Sequence, residues 1–362
     1  MEHSNKSAVA MTAGKRLLMF LTALALASLL LHNVALAQTR DAASARARAP
    51  ELNVTADGHP VHLMLTVDKA KGLIGEQGPL EYFGGPVEQK TLIYIIYWIP
   101  PNLQDGSATQ MAQAYQNVES NMLSNYPAKG LDNNNTQYFQ TSFAQGHFVD
   151  TNSAGRCCSE SVLESLYVDH SFYPGPDCTD SYFGNTNCIT DADIQNEIAK
   201  VMTLRGWTGG LNKLFMVFTS SNEGSCAGGS CAYVQYCAYH SYFVNAASQY
   251  VVYSNEPYGN TSVCQVPGAP SPNGNPAADT AATAAAHELT EAITDPLIDA
   301  WLTSSGEEIG DLCAYQYGTV GWDGGKANEM WNGGYFLIQT MYSNYSASVG
   351  IGSPLGCVNV GP

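Results

Sequence analysis

The chain has 362 residues, 13% of them charged, and a net charge of −17. That charged share is about half the usual one for a soluble domain, and its sign argues against a phosphate-tracking nucleic-acid binder or a protein held on anionic lipid headgroups. With 45% hydrophobic residues and ten cysteines, the chain can build a core and falls outside the disordered class.

Lys15 and Arg16 precede an apolar run over 17–31, and Ala35-Leu36-Ala37 closes the segment. A charged start, a short apolar stretch and a small-x-small end make a secretory signal, so residues 1–37 are expected to be removed after Ala37. The run is shorter than the ~20 residues a bilayer span needs, so no stable membrane anchor is expected and the location is extracellular. Removing Glu2, Lys6, Lys15 and Arg16 leaves 31 acids against 12 bases, near −19. All ten cysteines lie between Cys157 and Cys357. In an oxidising compartment they predict up to five disulfides, with the neighbours Cys157 and Cys158 going to separate partners.

Residues 38–80 read as a flexible tail, with an Ala-Arg repeat at 45–48 and one strand over 62–67. The globular domain is expected over 81–362. The continuous apolar run 92–99, ended by Pro100-Pro101, predicts a strand buried on both faces. Helical spacing follows over 108–124 (Met111, Ala114, Val118, Met122) and again over 191–204, with Asp191 as N-cap and Ile194, Ile198 and Val201 on one face. Further strands are expected at 214–218, 250–253 and 335–339, separated by long loops at 153–190 and 221–240 that disulfides would tie down. The fold class is therefore α/β or α+β: one disulfide-rich domain with a central mixed sheet flanked by helices. No nucleophile elbow, phosphate loop or dinucleotide fingerprint occurs.

After a Pro- and Gly-rich linker at 265–279, an Ala-rich helix is predicted, capped by Asp279 or Thr280 and stopped by Pro296. It carries His287-Glu288-Leu289-Thr290-Glu291. His287 and Glu291 are four apart, hence on one face one turn apart. Imidazole nitrogen and carboxylate oxygen both suit Zn²⁺, and Glu288 takes the place of the general base in His-Glu-x-x-His helices, which this segment resembles. A third ligand from beyond the helix is expected from Glu308 or Asp311. His240 is expected to bond within a loop, the alternative being a third ligand; Cys226, Cys231 and Cys237 are expected in disulfides rather than in a zinc cluster. Zn²⁺ is the expected cofactor, with Ca²⁺ on the carboxylates as the alternative.

Three stretches resemble the EXORDIUM, or phosphate-induced protein, family: Gly84-Gly85-Pro86-Val87, Cys237-Ala238-Tyr239-His240-Ser241 and Ala292-Ile293-Thr294-Asp295-Pro296, in order across about 82–357. The tract 287–313 also resembles an uncharacterised bacterial group with a His-Glu-x-x-Glu helix followed by Gly-Glu-Ile-Gly-Asp-x-Cys. The resemblance implies an extracellular protein associated with the cell wall, having a wall polymer or an extracellular protein as partner; the plant members lack the His-Glu pair. Two functions follow as expectations: a secreted metal-dependent hydrolase of the zinc-peptidase kind, or a non-catalytic wall-associated protein with structural carboxylates or bound Ca²⁺.

Overall fold

The structure, a computed structural model, describes residues 51–71, 78–88, 90–126, 162–184 and 186–359, with short pieces between 134 and 147. The signal segment, residues 38–50 of the expected tail and the Cys157-Cys158 pair lie outside the described residues.

A seven-stranded mixed sheet organises the chain. Its strands are β1 (Asn53–Ala56), β2 (His59–Leu65), β3 (Leu92–Trp98), β4 (Val162–Asp169), β5 (Lys213–Thr219), β6 (Tyr236–Val244) and β7 (Tyr250–Glu256), in the order β1-β2-β6-β7-β5-β3-β4. From β7 to β4 the pairing is parallel; from β7 through β6 and β2 to β1 it is antiparallel. The runs at 92–99 and 213–219 are apolar on both faces because helices cover both. Helix α2 (Asp191–Arg205) packs Ile194, Ile198 and Val201 against Tyr94, Ile96 and Phe215 on one face. Helices α1 (Gln113–Asn125) and α3 (Pro276–Thr294) lie over Ile93, Ile95, Leu214 and Met216 on the other.

Several local expectations shift. Residues 51–71 are not tail. The hairpin β1–β2 joins the sheet against β6, and Val61, Leu63 and Leu65 sit in the core, because burying alternate apolar side chains outweighs the polar appearance of the segment. His240 lies in β6 rather than in a loop. Thr190, not Asp191, caps α2 in a capping box with Asp193; the Asp191 carboxylate is occupied by the hydroxyls of Tyr239 (2.7 Å) and Tyr253 (2.6 Å). Asn275 caps α3, with Pro276 at its first position. The strand expected at 335–339 shortens to Gly334–Phe336, paired with Glu329–Trp331.

Four disulfides are formed among the described residues: Cys178–Cys188, Cys226–Cys231, Cys237–Cys264 and Cys313–Cys357. No helix among the described residues is long and apolar enough to cross a membrane.

Buried acids give the fold a pH signature. Glu223 is fully buried and accepts a hydrogen bond from Gln104 Nε2 at 2.8 Å, while its second oxygen is unpartnered. Burial pushes its carboxyl up to about 8. Below the ordinary carboxylate range both folded and unfolded forms hold the proton and nothing changes. Between about 4.5 and 8 only the unfolded chain releases it, so stability falls with rising pH. Glu223→Gln keeps the acceptor for Gln104 and removes the ionisation. Its expected effect is a gain at pH 8 on the order of 1–3 kcal/mol that vanishes near pH 4, read by urea denaturation at both values.

Candidate metal centre

Helix α3 is buried along almost its whole length. Its Ala281, Ala282, Ala285 and Ala286 bring its backbone close to the sheet, and that close approach places His287, Glu288 and Glu291 against β2 and β6. There His62 and His240 are direct cross-strand partners, so their side chains leave the same face of the sheet, with ring centroids 5.5 Å apart. The segment after α3 returns across this face and contributes Glu308 and Asp311, the latter opening a short 3₁₀ turn, Asp311–Cys313. Two ties fix that turn: Gln339 Nε2 donates to the Gly310 carbonyl at 2.9 Å, and Cys313 is bridged to Cys357.

The residues expected as ligands lie close to one another. His287 Nε2 lies 3.0 Å from Glu291 Oε1 and 3.7 Å from Asp311 Oδ1. Glu308 joins from the other side, with Oε1 3.3 Å from His62 Nδ1 and Oε2 3.8 Å from His240 Nε2. His62 Nε2 stands 2.8 Å from Asp311 Oδ2 and 3.9 Å from Glu291 Oε2. Glu288 lies in the cluster too, but its Oε2 faces His240 Nδ1 at 3.1 Å. His62 and His240 are the members that sequence spacing does not reveal: each comes from a strand far from the helix, and only the pairing of β2 with β6 unites them.

Three imidazoles and four carboxylates therefore share one site from which solvent is almost excluded: six of the seven residues are 0% exposed, and Asp311 5%. Among the described residues no lysine or arginine pairs with these acids. His287 Nδ1, Glu291 Oε2 and both Glu308 oxygens have no hydrogen-bond partner. Burial pushes the Glu308 and Glu288 carboxyls well above their usual range, with the neighbouring acids adding to it. Burial also favours the neutral form of His62, yet Asp311 and Glu291 outweigh it and hold that imidazolium up to about 9. His240 moves the opposite way, well down, through burial and the charges of His62 and His287.

Leaving so many buried polar atoms unpaired costs several kcal/mol, since each unmade bond costs roughly 1–3 kcal/mol. A cation among them removes that cost. Subsets such as His287, Glu291 and Asp311, or His62, Glu291 and Glu308, have their donor atoms within 4.8 Å of one another. Mixed nitrogen and oxygen donors suit Zn²⁺ or a similar transition metal; Ca²⁺ favours oxygen alone, and three histidines argue against it. The residues present could thus hold a metal ion. Outer contacts follow the pattern of metal sites, in which a ligating imidazole is oriented through its other nitrogen: His62 Nδ1 meets Asn53 Oδ1 at 3.0 Å, and His240 Nδ1 meets Glu288.

Comparison of the chain with protein-family profiles, with characterised proteins and with experimentally determined structures gives no significant match.

Proposed function

We propose that this chain is an exported metal-dependent hydrolase of the zinc-peptidase kind, acting on extracellular or wall-associated polypeptide. The observation that carries the reading is the convergence of His287, Glu291, Glu308 and Asp311 in one buried cluster with Glu288 beside them. His287 and Glu291 would hold the ion from one helix face, with Asp311 completing the set and Glu308 standing on the His62 side of the cluster. A bound Zn²⁺ supplies Lewis acidity to water and to a substrate carbonyl. Glu288 is the candidate to take the proton from water, and His240, 3.1 Å away, is placed to hold its carboxylate in position. The signal-like start, the four disulfides and the resemblance to EXORDIUM proteins support an extracellular site of action.

One observation favours a second reading, a structural metal in a non-catalytic wall-associated protein. The seven side chains are closed off from solvent, and closed shells mark structural metals, whereas catalytic ones keep a position open. Glu288→Gln separates the two. The hydrolase reading expects the metal content to stay while cleavage of an unfolded polypeptide such as reduced casein falls by 10²-fold or more. Wild-type protein that binds metal but leaves casein intact would sink the hydrolase reading and leave the structural one.

A further inference from the structure

The donors divide around two carboxylates. Glu291 turns Oε1 toward His287 Nε2 (3.0 Å) and Oε2 toward His240 Nδ1 (3.6 Å) and His62 Nε2 (3.9 Å). Asp311 divides in the same sense: Oδ1 faces His287 Nε2 at 3.7 Å, and Oδ2 faces His62 Nε2 at 2.8 Å. One oxygen of each carboxylate thus looks to the helix histidine and the other to the sheet histidines. A single ion would use one side and leave the other side's donors buried and unmatched.

We propose that the site holds two divalent transition-metal ions bridged by Glu291 and Asp311, one completed by His287 and the other by His62 and Glu308. The inference rests on the metal-centre reading above and extends it from one ion to a pair. Charge supports it. Among the described residues no lysine or arginine is paired with the four carboxylates, so whatever charge they carry beyond what one divalent ion matches has neither of those side chains to balance it. Burial makes the remainder costly, because an uncompensated charge away from water costs several kcal/mol. Donor supply points the same way. Side chains from β2, β6, α3 and the turn at 308–311 provide more ligand atoms than the four a zinc ion takes. The two halves are unequal: the His287 half has three protein donors, the number that leaves a coordination position open for water, and the His62 half has more.

The test is stoichiometry on the full folded chain. Protein stripped with chelator is dialysed against Zn²⁺ and counted by plasma mass spectrometry and native mass spectrometry. Two ions per wild-type chain are expected, one in His287→Ala, one in His62→Ala and none in Glu291→Ala. Replacing zinc by Co²⁺ should give a magnetically coupled pair in the wild type and an uncoupled ion in either histidine variant, since bridged ions lie about 3.5–4 Å apart. Circular dichroism identifies any variant that does not fold, and His287→Gln and His62→Gln then replace the alanine variants. Saturation at one ion in the wild type, or uncoupled Co²⁺ at full loading, overturns the pair and leaves the single-ion reading standing. No bound ion at all overturns both.

Discussion

A single methyl group at position 310 is expected to lower stability by about 1–3 kcal/mol and metal affinity by at least tenfold. Gly310 has φ −79° and ψ −37°, ordinary helical backbone in which alanine suffers no strain. The effect is therefore purely steric. A Cβ there would sit 2.7 Å from His287 Nδ1 and 2.8 Å from Glu291 Oε1, far inside contact distance. Glu291 also receives the Gly310 N–H at 3.1 Å, so backing away from the methyl group breaks that bond as well. Relief by moving the turn is blocked by the Gln339 clamp on the Gly310 carbonyl. Urea denaturation with and without metal checks both parts. A Gly310→Ala protein of unchanged stability and zinc affinity would show that the turn yields, and that its close seating on His287 is not required.

Replacing Cys313 and Cys357 together by serine is expected to cost about 4 kcal/mol, the chain-entropy value for a loop closed across 44 residues. This bridge should matter more than the Cys226–Cys231 bridge, whose loop spans five residues. It should also reach the metal. Cys313 ends the 3₁₀ turn that Asp311 begins, so releasing it loosens a carboxylate of the candidate site. Zinc titration of the double variant is expected to show weaker binding with the ligands intact. If the denaturation midpoint shifts and the zinc affinity does not, the turn is held by its hydrogen bonds alone.

How far the sequence foretold this molecule depends on the range of the signal. The doubly buried strands at 92–98 and 213–219 were legible as unbroken apolar runs, and α3 as an Ala-rich stretch bounded by a prolyl stop. His287 and Glu291 were legible because a helix turns a spacing of four into adjacency. Glu308 and Asp311 followed as a pair of carboxylates beside Cys313 in the segment beyond it. His62 carries no such mark, and His240 stands out only as an alternative third ligand by residue type, not by spacing. Their partnership is a register between strands distant in the chain, and a strand's two-residue period places many residues on the inner face without distinguishing a ligand. The hairpin at 53–65 is hidden for a related reason: its polar, charged flanks resemble a tail, while its burial is decided by β6, which lies far along the sequence. Glu288 shows a different limit. The motif identifies its place beside the ligands, but its pairing with His240 depends on a strand the motif does not contain.

The hairpin has a consequence for the order of assembly. His62 and its partner Asp311 are separated by 249 positions, so the hairpin cannot meet that partner until most of the chain exists. Closing so long a loop is slow, because its entropy is lost before the contact repays it. A fragment ending before β6 lacks the strand that carries β2 into the sheet and, with it, His240 as the cross-strand partner of His62. Any metal captured by this cluster would then enter late in folding, and would fasten an early-made hairpin to a turn made long after it.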